Sequence, residues 1–138
     1  MSPAARLAAI HAASFATPRP WSEDEIAAML GDANTWLCDR ETGFAMARAV
    51  AGEAELLTLA VHPAHRRRGL GRRLLSDFED GARARRATTA FLEVSAENTP
   101  AAGLYRSAGY RQTGCRPGYY RTPDGMCIDA LVFARVLG

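Results

Sequence analysis

The spacing of apolar residues changes along the chain, and each change predicts a different kind of element. Over residues 3–15 and 23–30 the apolar positions recur every three or four residues, which is typical of amphipathic helices. Ser2-Pro3 supplies an N-cap and a first-turn proline for the first helix, and Ser22 forms a capping box with Glu25 for the second. The chain is therefore predicted to begin with two helices.

Farther along, apolar residues come in short runs between turn residues, which predicts strands, and Pro63 ends the third run because proline cannot donate to a ladder. Helical spacing returns after Gly69, where one face is apolar and the other is charged. The predicted elements are strands at 36–38, 44–50 and 55–61, a helix from Gly69, a strand at 89–95, a helix from Thr99 to Gly109, and strands at 110–116 and 127–136 around a loop that contains Pro and Gly.

The order of these elements is α-α-β-β-β-α-β-α-β-β. Short links between the first three strands favour antiparallel hairpins, whereas the strand–helix–strand unit in the middle requires a parallel, right-handed crossover. We therefore predict an α/β (α+β mixed) fold, with a mostly antiparallel central sheet flanked by helices. A chain of 138 residues is the size of one domain, so residues 1–138 are expected to fold as a single unit.

The composition argues against several classes of protein. No apolar run approaches the ~18 residues of a membrane span, and the N-terminus lacks the apolar core of a signal peptide, so we expect a cytoplasmic protein without a membrane partner. Cys38, Cys115 and Cys127 form no C-x-x-C pair, which argues against a disulfide framework and a zinc site. All 17 basic residues are arginine, and the net charge is only +2.

Arg66-Arg67-Arg68-Gly69-Leu70-Gly71 lies between a predicted strand and a predicted helix. Such a junction offers unpaired backbone N–H groups and the positive end of a helix dipole to one anion, and glycines let that anion approach the backbone. Two known phosphate loops fail on spacing: a Walker loop needs a lysine, and a dinucleotide fingerprint needs a small residue where Leu74 stands. A diphosphate site is favoured over a solvated basic helix start, which stays open on the residues alone.

These residues resemble the acyl-CoA-binding signature of the GCN5-related N-acetyltransferase (GNAT) superfamily, in particular its bacterial ribosomal-protein-alanine N-acetyltransferases. The resemblance covers most of the chain. Its matching pieces are Pro20-Trp21-Ser22-Glu23, Leu59-Ala60-Val61-His62-Pro63, Arg66-x-x-Gly69-x-Gly71, Leu92-Glu93-Val94, Glu97-Asn98, Leu104-Tyr105, Gly109-Tyr110, Tyr119-Tyr120 and Asp124-Gly125.

The resemblance implies acetyl-CoA as cosubstrate and no metal. It assigns the pantetheine arm to the backbone of a splayed strand at Leu59, Ala60 and Val61, and a further hydrogen bond to Asn98. The pyrophosphate would be held by Arg66, Arg67, Arg68, Gly69, Leu70, Gly71 and Arg72. Similar enzymes usually have a strand before the first helix, so either the true start lies before Met1 or this sheet lacks its usual first strand.

Amine acetylation needs a base for the amine and an acid for the leaving thiolate. Glu93, in the middle of a strand fit for burial, is the candidate base, although its residue pattern also fits a glutamate on a wet sheet face. Tyr105, on the apolar side of its helix, is the candidate acid, although its pattern also fits a core aromatic residue. The resemblance favours the catalytic role for both.

The acceptor is less constrained than the donor. An α-amino group has a reference pKa of ~7.7–8.0 and is easier to deprotonate than lysine, and the resemblance points to the N-terminus of a ribosomal protein. Tyr119 or Tyr120 either shapes a peptide site or only packs its loop, and Gly118 stands where relatives often have Asn. Three alternatives are an acetyltransferase for small amines, a nucleic-acid-binding module and a catalytically dead acyl-CoA sensor. His62 and His65 have no third metal ligand, and His11 is expected to be structural.

Overall fold

The computed structural model of the chain describes residues 2–15, 19–66 and 68–138, in which four α-helices flank one six-stranded sheet. The helices are α1 (Pro3–Ser14), α2 (Glu23–Leu30), α3 (Leu70–Ala84) and α4 (Thr99–Ser107). The strands are β1 (Thr35–Asp39), β2 (Gly43–Val50), β3 (Glu53–Val61), β4 (Thr89–Ser95), β5 (Arg111–Arg121) and β6 (Cys127–Val136), and a short 3₁₀-helix spans Pro63–His65.

The sheet has the strand order β1-β2-β3-β4-β6-β5. Each neighbouring pair is antiparallel except β3 and β4, which run parallel because α3 carries the chain from one to the other. The predicted fold class, a mixed and mostly antiparallel sheet flanked by helices, is confirmed. Within the described residues, α1 is the first element, and β1 forms one outer edge of the sheet.

Local sequence predicted the starts of α1 and α2 well because each start is stabilised by hydrogen bonds between residues three positions apart. Ser2 accepts from the backbone N–H of Ala5 at 3.0 Å, and the capping box of Ser22 and Glu25 is complete. Each helix buries one face against the sheet. The α1–α2 face packs around Leu7, Ile26, Phe44 and Met46, whereas the opposite face packs around Leu74, Leu75, Phe78, Leu92 and Phe133. None of the helices in the described residues has the length and hydrophobicity of a membrane span.

The prediction for β5 was wrong in its length. The strand was expected at 110–116 with a loop after it, but it spans Arg111–Arg121 and is interrupted by an irregularity between Arg116 and Tyr120. Pro117 cannot donate to the ladder and Gly118 has a φ of +60°, so both leave the regular pairing. The Asp129 carboxylate accepts from the Gly118 N–H at 2.8 Å, and pairing resumes at Tyr120. The segment is therefore a bulge within the strand.

Gly81, inside α3, lies directly beneath the indole of Trp36. The ring is fixed between Phe78, with ring centroids 6.0 Å apart, and the Arg85 guanidinium, 4.1 Å from the indole centroid. A Cβ on Gly81 would lie 3.0 Å from Trp36 Cε2 and closer still to Nε1. The close approach of helix and ring therefore requires glycine at this position.

We expect Gly81→Ala to lower the free energy of unfolding by about 2 kcal/mol, because the overpacking outweighs the better helix propensity of alanine. Gly103→Ala is the matched control: that glycine also lies inside a helix, but a Cβ there meets nothing within 4 Å, so the same change should stabilise slightly. Urea unfolding of both variants measures the difference, and equal effects at the two glycines would contradict the expectation.

Candidate active site

The site begins where β3 and β4 separate. Their parallel pairing extends only from Glu53 opposite Thr89 to Leu56 opposite Leu92, although both strands continue. Beyond that point each strand keeps its outer neighbour: β3 stays paired with β2 as far as Val61, and β4 with β6 as far as Ser95. The sheet therefore opens into a fork whose two arms are both anchored.

A bulge in β3 lies at the base of the fork. Met46 pairs with Thr58 and Ala47 pairs with Leu56, so Leu57 is an extra residue with no partner in β2. A bulge of this kind bends its strand and increases the local twist. As a result Leu57 packs on the α1–α2 face, while Leu59 beyond the bulge packs on the α3 side. The extra residue thus turns the outer half of β3 away from β4.

His11 ties the bulge to α1. The backbone N–H of Trp21 donates to His11 Nδ1 at 3.1 Å, which leaves the proton on Nε2 to donate to Thr58 Oγ1 at 3.0 Å. Burial lowers the pKa of His11 to about 4, since the charged ring would lose its hydration. The ring also stacks on Trp21 with centroids 4.9 Å apart. His11 is neutral and structural at pH 7, in line with the sequence-based interpretation.

A cavity of about 620 Å³ fills the fork. The structure brings together in its wall nine of the residues that the sequence analysis assigned to the cosubstrate or to catalysis: Leu59, Ala60, Val61, Arg66, Gly69, Leu70, Gly71, Asn98 and Tyr105. They come from β3, the turn before α3 and the first residues of that helix, and from α4 with its N-cap, so segments distant in sequence meet in a single wall.

Two of the predicted arginines, Arg68 and Arg72, do not line this wall. Arg68 is exposed outside it, and Arg72 lies in the first turn of α3, where it donates to Ser107 Oγ at 2.8 Å. Arg67 falls outside the described residues. Arg66 lines the cavity, but its Nε donates back to the carbonyl of Val61 at 3.2 Å. Within the described turn, backbone groups and Arg66 therefore face the cavity, and Arg72 braces α3 against α4.

The start of α3 differs from the starts of the other α-helices. Its N-cap is Gly69, with a φ of +74°, and no described side chain accepts from its first N–H groups, whereas Ser2, Ser22 and Asn98 cap α1, α2 and α4. A Cβ at Gly69 would meet nothing within 4 Å, so the positive φ rather than crowding favours glycine here. The uncapped N–H groups and the helix dipole point to an anion as their partner.

Asn98 has a role in the fold that its sequence position did not reveal. Its carboxamide oxygen accepts from the Ala101 N–H at 3.3 Å and caps α4, while the residue lines the cavity. Ser14, which sequence reasoning missed, donates from its hydroxyl to the carbonyls of Ile10 and Val61, at 2.8 and 3.1 Å. A serine in the last turn of a helix is a weak signal, and nothing in the local sequence marks Phe15 or Ile128 as further wall residues.

Tyr105 lies where the large cavity meets a smaller one of about 90 Å³, and it lines both. Its side chain is buried, and its hydroxyl has no hydrogen-bond partner within the ranges that the structure describes. Burial raises the pKa of this phenol well above its ordinary value, so the group stays protonated at neutral pH. The Tyr105 hydroxyl therefore carries a proton for which no described protein group is a hydrogen-bond acceptor.

The smaller cavity contains Glu93, together with Phe15, Leu57 and Tyr120. The Glu93 side chain is 22% exposed, and its Oε1 lies 3.2 Å from Nε of Arg116. Burial, followed by the nearby Glu93 carboxylate, raises the pKa of Tyr120 to about 12. Of the two adjacent tyrosines, Tyr120 lines the cavity, whereas Tyr119 is 53% exposed.

The histidines after β3 have a local structural use. His62 Nδ1 accepts from the Ala64 N–H at 3.2 Å and caps the short 3₁₀-helix, and its ring lies 5.9 Å from that of His65. Among residues 2–15, 19–66 and 68–138 there is no cluster of three or more His, Cys, Asp or Glu side chains that could hold a metal ion.

The six-stranded sheet forks beside an uncapped helix N-terminus, so a cavity of small-molecule size opens next to a site for an anionic group. The chain belongs to the acetyltransferase (GNAT) family, whose family model matches residues 6–110. The predicted family and the predicted enzyme class, an N-acetyltransferase, are therefore confirmed.

Within this family, the chain is similar to several individual acetyltransferases. The chain is 38% identical over 131 residues to the [ribosomal protein bS18]-alanine N-acetyltransferase of Escherichia coli strain K12, covering 92% of this chain and 88% of that one. The crystal structure of the ribosomal-protein-S18-alanine N-acetyltransferase from E. coli superposes with a TM-score of 0.84 at 33% identity, covering 99% and 87% of the two chains. Arabidopsis thaliana NAA60 in complex with acetyl-CoA shares the fold, with a TM-score of 0.82 at 19% identity and coverage of 99% and 96%.

Proposed function

We propose that this enzyme transfers the acetyl group of acetyl-CoA directly to the N-terminal α-amino group of a protein, most specifically a ribosomal protein, in the cytoplasm. The observation that carries the proposal is the position of Tyr105, which lines both the large cavity in the fork and the smaller cavity that contains Glu93. An acyl donor in the first cavity and an amine in the second would meet at this residue. We further propose that residues 1–138 act as one acetyltransferase domain.

The volume and the lining of the large cavity support coenzyme A as its ligand. Its volume of about 620 Å³ lies in the usual range for small-molecule sites, and one end reaches the uncapped N-terminus of α3. In this proposal Arg66, Arg67, Arg68, Gly69, Leu70, Gly71 and Arg72 hold the pyrophosphate, while the backbone of Leu59, Ala60 and Val61 and the side chain of Asn98 hold the pantetheine arm. Beyond Leu56 the inner edge of β3 has lost its β4 partner, which supports backbone pairing with the amide groups of that arm.

Glu93 is proposed as the general base. An α-amine with a reference pKa of ~7.7–8.0 arrives mainly as the ammonium at pH 7, and only its neutral form has a lone pair for attack. The Glu93 carboxylate takes one proton from the ammonium, and the lone pair of the resulting neutral amine can form the new C–N bond. The partly enclosed position of the carboxylate, 22% exposed, supports this role because water competes less for the same proton.

Tyr105 is proposed as the general acid. Acetyl-CoA supplies the acetyl group as a thioester, whose carbonyl carbon bonds to the amine nitrogen while its C–S bond breaks and the sulfur leaves with the electron pair. The Tyr105 hydroxyl gives its proton to that sulfur, and the second proton lost from the new amide nitrogen restores the phenol. Overall an ammonium and a thioester become an amide, a thiol and one proton released to solvent. The unpartnered hydroxyl of Tyr105, which burial keeps protonated at neutral pH, supports the role because its proton is present when the thiolate leaves.

The peptide side of the proposal has structural support on two sides of the smaller cavity. Phe15 from the end of α1, Tyr120 from the point where β5 resumes its pairing, and Leu57 of β3 all line it. These apolar and aromatic walls suit a short side chain next to the reacting amine. The ribosomal-protein-S18-alanine N-acetyltransferase of E. coli aligns with this chain over most of its length, which supports the same class of acceptor.

The test is CoA release from acetyl-CoA with an alanine-starting peptide copied from the N-terminus of the host's own ribosomal protein bS18. We expect turnover with the free peptide and none with the same peptide blocked at its N-terminus, because only the α-amine reaches Glu93. A panel of small amines is run beside it. Turnover of small amines without turnover of the peptide would overturn the proposed acceptor but not the acyl donor.

A further inference from the structure

The ion pair between Glu93 and Arg116 crosses a strand. Arg116 lies on β5 opposite Ala130 of β6, and Ala130 in turn lies opposite Ser95 of β4. The guanidinium therefore reaches diagonally over β6 to bring Nε within 3.2 Å of Glu93 Oε1. Arg116 of the edge strand thus lies directly beside the carboxylate of Glu93, the proposed base.

The β5 bulge next to Arg116 helps to hold its side chain in this position. Among the described residues, the guanidinium has no acidic partner besides Glu93. Three residues, 117–119, stand opposite the single residue Asp129, whose carboxylate holds the Gly118 N–H at 2.8 Å. The bulge turns Tyr119 so that the Arg116 guanidinium lies 5.2 Å from its ring centroid. An aromatic face attracts a cation but adds no negative charge, so Glu93 is the sole described carboxylate paired with this guanidinium.

The exposures of the two partners are unequal. The Arg116 side chain is 56% exposed, whereas Glu93 is 22% exposed and lies in the cavity wall. The guanidinium is thus the more solvent-exposed partner of the pair, and the carboxylate beside it is the one that lines the cavity. Because an ion pair this exposed contributes little stability, it is easily exchanged.

We propose that Arg116 is an exchangeable counter-ion that holds the place of the acceptor ammonium on Glu93 and leaves when the acceptor binds. This inference rests on the proposed function, in which Glu93 receives the ammonium proton. One cation replaces another at the carboxylate, so the half-enclosed charge of Glu93 stays compensated throughout. The displaced guanidinium keeps its contact with the exposed ring of Tyr119, which lowers the cost of the exchange. Arg116 therefore sets the affinity for a cationic acceptor and takes no part in bond making.

The test is the steady-state kinetics of Arg116→Ala with the free peptide. Removing the competitor should lower the KM for the peptide about threefold, in keeping with the strength of an exposed pair, while kcat stays within about twofold and the KM for acetyl-CoA is unchanged. Arg116→Lys, which keeps the cation, should retain the wild-type KM. Arg111→Ala is the matched control, because it removes the same charge from an exposed position at the far end of the same strand.

A second measurement separates exchange from a general change of charge. The N-terminally blocked peptide has no α-ammonium group, so its inhibition constant against the free peptide should be the same for the wild type and for Arg116→Ala. A peptide KM that is unchanged or raised in Arg116→Ala, or a kcat that falls while KM holds, would overturn the inference. If the wild type turns over small amines alone, the proposed acceptor fails, and the same KM comparison with the best small amine still decides the role of Arg116.

Discussion

Glu93→Gln is expected to lower kcat/KM for the acceptor about 100- to 10,000-fold, the range that a positioned general base contributes. Glutamine has the same shape and can still donate and accept hydrogen bonds, but it cannot take a proton from an ammonium. The loss should fall mainly on kcat, and the KM for acetyl-CoA should stay the same because Glu93 lies in the smaller cavity. CoA release at saturating acetyl-CoA measures it.

The pH dependence of the same variant tests the reason for the loss. As the pH rises past ~8, more of the α-amine is neutral without help, so the gap between wild type and Glu93→Gln should narrow. Glu53→Gln serves as the control, since it removes an exposed carboxylate at the opposite end of the neighbouring strand β3. A loss smaller than about threefold at pH 7, or a gap that does not narrow with pH, would exclude Glu93 as the base.

Acidification is expected to weaken the fold through His11. The pKa of this ring is lowered from 6.5 to about 4 in the folded protein, so the unfolded chain binds the proton first as pH falls. The stability that the neutral ring provides is complete above pH 6.5, is lost as pH falls from 6.5 to 4, and does not change further below that. The pKa difference corresponds to about 3 kcal/mol in all, of which about 2 kcal/mol is lost by pH 5.

Urea unfolding at pH 7 and pH 5 measures this loss. At pH 5 the contribution of Glu25 is still intact, because its pKa, lowered to about 2 chiefly by hydrogen bonding with Arg19, affects stability only below its unfolded value of 4.5. His11→Asn should unfold more easily at pH 7 but lose most of the difference between the two pH values, whereas His65→Asn should keep it. A wild type whose stability is equal at pH 7 and pH 5 would contradict the account.

The parts of the fold that sequence predicted are those fixed by neighbours along the chain. Ser2 and Ser22 cap helices through groups three residues away, and the turn at Gly69 needs only a strand before it and a helix after it. Hydrophobic spacing gave the correct face of β4, where Leu92 and Val94 are buried. Nine of the proposed site residues share one cavity wall because these local elements are joined in the order that the sequence indicated.

The parts that sequence did not predict depend on partners far along the chain. The bulge at Leu57 exists because of its register with Met46 and Ala47 in β2, and Leu57 itself is an ordinary apolar strand residue. The β5 bulge depends on the carboxylate of Asp129, which follows eleven residues after Gly118. The pairing of Arg116 with Glu93 depends on three strands being in register. Periodicity along one segment contains no information about such pairings.

The fork between β3 and β4 also decides how two substrates can share one site. Residues of the α1 end, such as Phe15, and of α4, such as Tyr105, line the same opening, so it passes from one face of the sheet through to the other. Two molecules can therefore enter from opposite faces and meet end to end, and neither has to lie over the other to react. The bulge at Leu57, which turns β3 away from β4, thus gives the two substrates separate entrances to one site.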